Sequence, residues 1–533
     1  MQRSNRPDAS GPDGTVQAAS VRWTAILLAA AAFALYLRLA PPVSGDKDAS
    51  EFALVLATNG VAHPTGYPLY TLAGHAFVVA VHGLGATWPL AANAWSALGG
   101  AAAVALLFLH AERLVRMRTA AGRGGWSAAV FALPPVLVFA LDPAWTVETT
   151  LAEVHSWHVA WACGAALHAC ASFCLLTDGR AEERAIRRRA LGWALICGIG
   201  AAHHATSVLV AVPLSVALVV LLVRTRRLRA VPVAATLLCA SVPVVSYALI
   251  AWRAFHPAQV QWPQLAASWS GVLDHVTGAQ YRHYLGGFAP SALQRNLMTT
   301  GIYPFLGIGL AALVTFAAVA RDLAQRTIAW SLVGVAAIGA AYAFSYGVSD
   351  PSSYFLVPTA LGLAAVAPLV ASVATASRLR VAVPAVALAL AVAPAPGWLR
   401  TAAERRDCHV AYDAMLRSMW TSIPADEGIV LFADDMSARL REYQLFHGER
   451  PQLDVVNPVA LGGATARAAF ERRYGFDPLA DARPAAGTGS AEPIADTVAR
   501  TIRRRSTIPV FVFDPTAGTV TLLPNDPLPP VRR

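Results

Sequence analysis

The sequence predicts an all-α polytopic membrane protein that ends in a small α/β domain. The first observation is composition: 56% of the 533 residues are hydrophobic and only 14% are charged, whereas soluble domains are about one quarter charged. The second is that the apolar residues form runs of about 20, the length that crosses a bilayer core. The third is that charged residues become frequent after residue 398. The net charge of +10 lies in short arginine clusters and not in one broad patch, so no nucleic-acid partner is expected.

The membrane spans can be ordered by the arginine clusters that separate them. Because cytoplasmic loops are enriched in Lys and Arg, we place all of these clusters inside the cell. The run 66–82 then lies on or dips into the outer face, and the run 190–223 crosses twice with a break at His203–His204. These assignments give about eleven transmembrane helices, with the N-terminus inside and the C-terminus outside. The crossing runs are 22–40, 89–112, 126–142, 154–176, 190–223, 231–251, 302–320, 328–346, 354–374 and 381–397.

The first apolar run has a second interpretation as a cleaved signal peptide. Arg38 interrupts the end of the run and no small-x-small cleavage site follows, which favours a retained span. We therefore expect a cytoplasmic tail at 1–21, a transmembrane domain at 22–397 with its first extracytoplasmic loop at 41–88, and an extracytoplasmic α/β domain at 398–533.

Strand and helix patterns alternate in the C-terminal domain. Residues 402–420 have the spacing of an amphipathic helix, and GIVLFADD is typical of a buried strand that ends at Asp434–Asp435. A helix through 436–447 follows, and TIPVFVFD and TVTLLP predict two further strands. The paired aspartates either cap the next helix or bind a ligand. We expect this domain to recognise the acceptor molecule.

Charged residues follow the first span at once. Asp48 and Glu51 are spaced i, i+3, so a helix over 48–60 presents both carboxylates on one face. Such a pair suits a general base, and Asp46 together with Asp48 suits a divalent-cation site of the DxD type. The alternative is a solvated, capped loop built from ordinary turn residues.

The segment that follows predicts a rigid turn. His63-Pro64-Thr65-Gly66-Tyr67-Pro68-Leu69 carries two prolines and one glycine, which restrict the chain and permit a sharp reversal. This turn places His63 close to the two carboxylates, at the entrance of the apolar run 66–82.

Asp48-Ala49-Ser50-Glu51-Phe52 followed by this turn resembles the hallmark of a bacterial multi-pass family, D-x-x-E-F and then H-P-[PT]-G-Y-P-L. The animal member of that family is an O-mannosyltransferase of receptor IPT domains, and the family is similar to the GT-C superfamily of glycosyltransferases. Thr65 stands where a second proline is usual, and Ala49-Ser50 where Ser-Gly or Cys-Gly is commoner. The resemblance extends through Asn93–Leu98 and Glu153-Val154-His155 and covers roughly the first 220 residues.

The resemblance implies an enzyme that moves a sugar, with inversion, from a polyprenyl-phosphate donor to an extracytoplasmic acceptor. Asp48, in the first outer loop, is then the expected base, with Glu51 as the second carboxylate. Glu153, or Glu148, is the expected acidic residue of the next outer loop, although each is also typical of a helix cap or an interface. The implied location is a bacterial inner membrane, with the active face outside.

The donor is expected to contact polar and aromatic side chains of the outer segments. The turn at His203–His204 suits a lipid headgroup, or packs as a hydrogen-bonded pair. Some of these residues also have a structural interpretation. Aromatic residues of the outer segments are typical of interfacial belts, and Asp350 is typical of a helix N-cap. Lys47 is typical of an ion pair with its neighbours. The predicted donor-binding residues are Lys47, His63, Tyr67, Glu148, His155, His203, His204, Arg282, His283, Asp350 and Tyr354.

Two other functions stay open on the sequence alone. One is a transporter or flippase of lipid-linked glycans, for which charged or broken midplane helices and inverted repeats are expected; the sequence shows neither. The other is a non-catalytic scaffold that binds lipid-linked glycans, kept open by the departures at Ala49-Ser50, Thr65 and His155. Apart from the optional cation at Asp46 and Asp48, no cofactor is predicted. The acceptor is a protein or a glycan.

Overall fold

The structure, a computed structural model, describes residues 12–46, 48–119, 128–286, 303–348, 351–376, 381–433, 437–482 and 494–524. Lys47, Asp350 and Asp434–Asp435, for which the sequence predicts roles, lie outside these ranges. Within them the chain is a helical bundle followed by a small sheet domain, which confirms the predicted fold class.

The bundle helices follow the apolar runs of the sequence. The first are α1 (Pro12–Leu39), α2 (Asp48–Thr58), α3 (Pro68–Gly83), α4 (Trp88–Arg118), α5 (Ala128–Leu141), α6 (Pro143–Thr150), α7 (His155–Thr177), α8 (Glu183–His203) and α9 (Val208–Arg224). The next are α10 (Val233–Val244), α11 (Ala248–Phe255), α12 (Trp269–Val276), α13 (Tyr303–Ala318), α14 (Leu323–Ser345), α15 (Ser352–Ala364), α16 (Val366–Ala376), α17 (Ala382–Val392) and α18 (Ala395–Ser422).

The chain is a multi-pass membrane protein. In the described ranges, eight helices are long and apolar enough to cross a membrane, or nine when α5 and α6, which meet at 67°, count as one span. The other two crossings that the sequence predicts correspond to α8, whose first turns are rich in arginine, and to α13, a shorter apolar helix. The run 66–82 forms the separate helix α3.

Segments that the sequence predicts on one side of the membrane contact each other. At one end of the bundle, the N–H of Val61 in the first loop donates to the Val260 carbonyl at 3.2 Å. At the arginine-rich end, the Gln325 side-chain amide donates to the Met117 carbonyl at 2.7 Å. The assignment of the first end to the extracytoplasmic face stays a prediction.

The C-terminal domain is a four-stranded sheet between helices. The strand order is β2-β1-β3-β4, with β1 parallel to β2 and β3, and β3 antiparallel to β4. Side chains alternate between the faces of a strand, so Val430 packs with Trp420 and Leu440, whereas Ile429 packs with Val498 on the other face. The elements are β1 (Glu427–Leu431), α19 (Ser437–His447), β2 (Gln452–Val456), α20 (Ala464–Tyr474), α21 (Ile494–Arg505), β3 (Val510–Asp514) and β4 (Thr519–Leu523).

The C-terminal domain docks onto the first loop, 41–88. Helix α19 packs against α2, and the Ser44 hydroxyl donates to the carboxyl group of Glu442, which is only 5% exposed. The rings of Trp88 and Phe446 stack with their centroids 5.8 Å apart. The domain therefore lies against the loop that carries the predicted catalytic carboxylates.

Candidate active site

The predicted carboxylates lie at the N-terminus of α2. Asp48 begins the helix and Glu51 lies in its first turn, where the helix dipole favours negative charge. Phe52, Val55 and Leu56 on the same helix have no exposed surface. Their burial holds the helix in place, while the Asp48 side chain stays 53% exposed. The result is an accessible carboxylate on a fixed helix end.

The chain after α2 is anchored before it reaches His63. The carbonyl of Val61 accepts a hydrogen bond from the N–H of Trp262 at 3.0 Å. In the turn that follows, the N–H of Gly66 donates to the His63 carbonyl at 2.8 Å, and Gly66 has φ = 80°, a conformation that favours glycine. Pro68 then begins α3. This local chemistry places His63 opposite the N-terminus of α2, as the sequence predicts.

The backbone N–H and the imidazole of His63 are held by Glu51 and Tyr67. Its backbone N–H donates to Glu51 Oε1 at 2.6 Å, and its Nδ1 donates to Glu51 Oε2 at 3.0 Å. Because a carboxylate only accepts, Nδ1 carries the proton and Nε2 accepts from the Tyr67 hydroxyl, at 3.0 Å. Asp48 Oδ2 lies 3.7 Å from the same Nε2. Glu51 and Tyr67 therefore fix the imidazole, and Asp48 faces the open side of the cluster.

Tyrosine side chains surround the open side of Asp48. The carboxylate of Asp48 interacts electrostatically with the hydroxyls of Tyr281, Tyr346 and Tyr354. The rings of Tyr346 and Tyr354 lie 5.1 Å apart. Burial raises the pKa of both Tyr67 and Tyr281 well above the usual value of 10, and the carboxylates of the cluster add to the effect. Both hydroxyls stay protonated. Because that of Tyr67 already donates to His63 Nε2, the Tyr281 hydroxyl is the one available to donate to a phosphate or sugar oxygen.

Two predicted histidines adjoin Tyr67. The His204 ring lies 5.4 Å from the Tyr67 ring, and the His155 ring lies 5.3 Å from that of His204. His204 Nδ1 accepts a hydrogen bond from the N–H of Thr206 at 3.2 Å. Burial, followed by the charges of neighbouring histidines, lowers the pKa of His204 well below its usual value. His204 is thus a neutral hydrogen-bonding group and not a permanent cation. The other predicted histidine of this turn, His203, faces a groove in the membrane domain.

Glu148 and Glu153 are buried beside another tyrosine. Their charges act on Tyr70, whereas those of Asp48 and Glu51 act on Tyr67. The backbone of Glu153 is fixed by the Ser96 hydroxyl, which donates to its carbonyl and accepts from its N–H, both at 2.9 Å. Glu148 and Glu153 therefore form an acidic layer beside Tyr70. This layer lies next to the cluster of Asp48, Glu51, His63 and Tyr67, which we call the Asp48 cluster.

Arg405 is a candidate functional residue that the sequence prediction missed. Its guanidinium donates to the hydroxyls of Thr146 at 3.3 Å and Thr150 at 3.4 Å. The carboxylates of Asp46 and Glu148 act on the same guanidinium. Arg405 thereby brings a positive charge from α18 between the first loop and α6. On sequence alone it belongs to an amphipathic helix, where an arginine is typical of the solvated face.

The outer segment before residue 287 contributes a tyrosine in place of the predicted basic residues. Arg282 and His283 are exposed, and Arg282 donates to the Thr277 hydroxyl at 3.3 Å. Tyr281 points toward the cluster, with its ring centroid 6.4 Å from that of His63. The turn at Ala279–Tyr284 brings Tyr281 to the cluster, and the predicted roles of Arg282 and His283 in donor binding stay predictions.

The two aspartates of the DxD-type pattern contact different partners. Asp46 Oδ1 lies 3.9 Å from His409 Nε2, on α18. Asp48 instead groups with Glu51 and His63, and one ligand atom from each of these three lies within 4.8 Å of the others. A nitrogen and two carboxylate oxygens suit a divalent cation. If a cation binds here, its ligands are this set, without Asp46.

Comparisons with known proteins agree with the fold. Residues 48–229 match a family model described as the protein O-mannosyl-transferase TMEM260 N-terminal domain. The fold is similar to that of ArnT from Cupriavidus metallidurans bound to undecaprenyl phosphate, with a TM-score of 0.56 and 14% identity over 93% of each chain. For apo ArnT the TM-score is 0.52 and the identity 15%, over 93% of this chain and 94% of that one. No curated protein sequence matches with significance.

The family match begins at Asp48 and includes the turn at His63 and the loop that carries Glu148 and Glu153. The structural likeness extends over almost the whole chain, including the C-terminal domain. The chain therefore shares the fold of ArnT, and its residues 48–229 are similar to the TMEM260 N-terminal domain.

Proposed function

We propose that this protein transfers a sugar from a polyprenyl-phosphate donor to an acceptor hydroxyl at the outer face of a bacterial inner membrane, with Asp48 as the base. The observation that carries the proposal is the exposed Asp48 carboxylate on a fixed helix end, beside the His63–Glu51 pair and the protonated Tyr281 hydroxyl. The undecaprenyl phosphate in the ArnT structure supports the donor class. The match to the TMEM260 domain supports O-mannosyl transfer to a protein.

The reaction needs one base and one stabilised leaving group. Asp48 accepts the proton of the acceptor hydroxyl as the hydroxyl oxygen forms a bond to the anomeric carbon. The bond from that carbon to the donor phosphate oxygen breaks, and polyprenyl phosphate leaves with the electron pair. Attack from the side opposite the phosphate inverts the configuration of the anomeric carbon.

The leaving phosphate needs hydrogen-bond donors more than a strong acid, because it departs as a stable anion. The Tyr281 hydroxyl stays protonated beside Asp48 and can donate to this phosphate, whereas the Tyr67 hydroxyl already donates to His63 Nε2. Donors that are already oriented stabilise developing charge without reorganisation. Arg405 adds a positive charge beside Asp46 and Glu148. The contact of the C-terminal domain with the loop that carries Asp48 supports a role for this domain in recognising the acceptor.

Sugar transfer in vesicles tests the proposal directly. The purified protein is reconstituted with radiolabelled polyprenyl-phosphate hexoses, and label in extractable acceptors is measured for wild type, Asp48→Asn and Asp274→Asn. Loss of the base is expected to lower kcat by about 10²–10⁴-fold. Asp274 is exposed on α12 and serves as the matched control.

If a folded and inserted Asp48→Asn variant transfers sugar at the wild-type rate, the base is another residue, and Glu153 is the first to test. No transfer by wild type from any of the donors would replace this proposal with the transporter or scaffold function. The labelled product also identifies the sugar and the acceptor.

A second candidate assigns the same cluster to a divalent cation. The close approach of ligand atoms from Asp48, Glu51 and His63 favours it. In that case a chelator should abolish transfer and added Mg²⁺ or Mn²⁺ should restore it. Transfer that is unchanged after chelation leaves Asp48 as a base alone.

A further inference from the structure

A long groove runs between helices α4, α7 and α8, separate from the Asp48 cluster. Its volume is about 1410 Å³, and its wall follows α7 from Trp157 to Asp178. With 23 residues, α7 is about 35 Å long at 1.5 Å per residue. The groove therefore extends across a hydrocarbon core of ~30 Å. We call it the α4–α7–α8 groove.

The two ends of the α4–α7–α8 groove differ in chemistry. The end near the candidate active site is lined by Tyr70, Trp95, Trp157 and His203, and the middle by small and aliphatic side chains. The opposite end is lined by three arginines and by Asp178, the one carboxylate among the lining residues that the structure describes. A groove of this kind matches a molecule with a long apolar part and a negative group at the arginine end.

The arginine end is built by two helices. Arg113 lies near the end of α4, and Arg188 and Arg189 lie near the start of α8. The Nε of Arg113 is buried and makes no hydrogen bond to any residue in the described part of the chain. Asp178, in contrast, already accepts a hydrogen bond from the N–H of Arg180 at 3.1 Å. Positive charge is thus in excess where the groove opens.

We propose that the α4–α7–α8 groove binds an anionic glycerophospholipid from the leaflet on the arginine side. Its phosphate lies among Arg113, Arg188 and Arg189, and an acyl chain occupies the apolar part beside Gly164. Guanidinium groups match phosphate oxygens in geometry as well as charge, and basic pockets between transmembrane helices bind anionic lipid headgroups. The sugar donor does not explain these arginines, because its phosphate must reach Asp48 at the other end, about one bilayer thickness away.

Lipid retention by the full-length protein tests this inference. The protein is reconstituted in equimolar phosphatidylglycerol and phosphatidylcholine, extracted in mild detergent, and the bound lipid is counted by native mass spectrometry. Wild type is expected to retain phosphatidylglycerol at least about tenfold over phosphatidylcholine, and the triple variant Arg113→Gln/Arg188→Gln/Arg189→Gln to lose this preference. The triple variant Arg180→Gln/Arg184→Gln/Arg187→Gln, which removes three exposed arginines that do not line the groove, is the charge-matched control.

A second variant keeps the arginines and obstructs the groove. A Cβ at Gly164 would have Leu106 as its nearest neighbour, at 3.7 Å, and Gly164 lines the groove, so Gly164→Phe is expected to place its ring in the space of the acyl chain. It should lose phosphatidylglycerol although its charge is unchanged. Equal retention of both lipids by wild type, full retention by the triple or the Gly164→Phe variant, or retention of added polyprenyl phosphate in place of phosphatidylglycerol would each overturn the inference.

Discussion

Glu442 is buried where the C-terminal domain meets the first loop, so Glu442→Gln tests how that contact depends on pH. Burial raises the pKa of Glu442 from 4.5 to about 8, against smaller opposing effects of the Arg439 charge and the Ser44 hydrogen bond. At a pH between these two pKa values, the Glu442 carboxyl group is protonated in the folded protein and ionised in the unfolded chain. The contribution of Glu442 to stability is therefore fully present below pH 4.5 and is lost progressively as the pH rises through 8.

The size of the effect follows from the width of this pH window. Each pH unit inside it changes the free energy of unfolding by about 1.4 kcal/mol, so the loss at pH 7 is about 3 kcal/mol. Glutamine has the shape of glutamic acid and still accepts the Ser44 hydrogen bond, with no charge to bury. Glu442→Gln is therefore expected to match wild type near pH 5 and to be more stable by about 3 kcal/mol at pH 7.

Thermal unfolding midpoints of the purified protein in detergent, measured between about pH 5 and pH 8, give the comparison. The difference between Glu442→Gln and wild type should widen steadily with pH, and Glu471→Gln, an exposed site on α20, should follow wild type. A difference that is constant with pH, or a glutamine variant less stable than wild type at the alkaline end, would refute the reasoning.

Three further predictions follow from single contacts. Glu51→Gln removes the carboxylate that fixes His63 Nδ1, so kcat in the vesicle assay should fall about tenfold or more while the KM for the donor stays nearly constant; an unchanged kcat would contradict the positioning role. Gly74→Ala places a Cβ 2.6 Å from the nearest side chain and should lower the unfolding free energy by about 1–3 kcal/mol. Gly83→Ala, whose Cβ meets nothing within 4 Å, is its control, and equal midpoints for the two would contradict the packing argument. Arg405→Gln should reduce transfer more than Arg405→Lys, because lysine keeps the charge that faces the acidic layer; equal losses would point to the hydrogen bonds with the α6 threonines instead.

The elements best predicted from the sequence are those whose causes are local. The i, i+3 spacing of Asp48 and Glu51 and the turn chemistry at Gly66 act within a few residues, and the structure shows the helix and the turn that they predict. The strand QLDVV was missed because its pattern is short and begins with polar residues. Its extended form depends on pairing with β1, a neighbour more than 20 residues away in the chain.

The candidate site shows the same division at the level of side chains. Tyr281 and its neighbour Arg282 are equally plausible in the sequence, and only the turn at Ala279–Tyr284 directs the tyrosine to His63. The DxD-type pattern predicts that Asp46 and Asp48 act together, yet packing against α18 turns Asp46 to His409. Arg405 reaches the site from an amphipathic helix that is remote in the chain.

By itself the sequence determined that this is a multi-pass membrane protein, where its helices run, and which loop carries two carboxylates and a histidine. Those properties follow from hydropathy, charge and turn residues, which act over one helix or one turn. Only the tertiary structure decided which side chains share the Asp48 cluster, which face the groove at the opposite end, and that the C-terminal domain rests on the first loop. Such contacts join residues up to 398 positions apart, as between Ser44 and Glu442. They depend on how separate helices pack, because no periodicity within one segment encodes its distance to another.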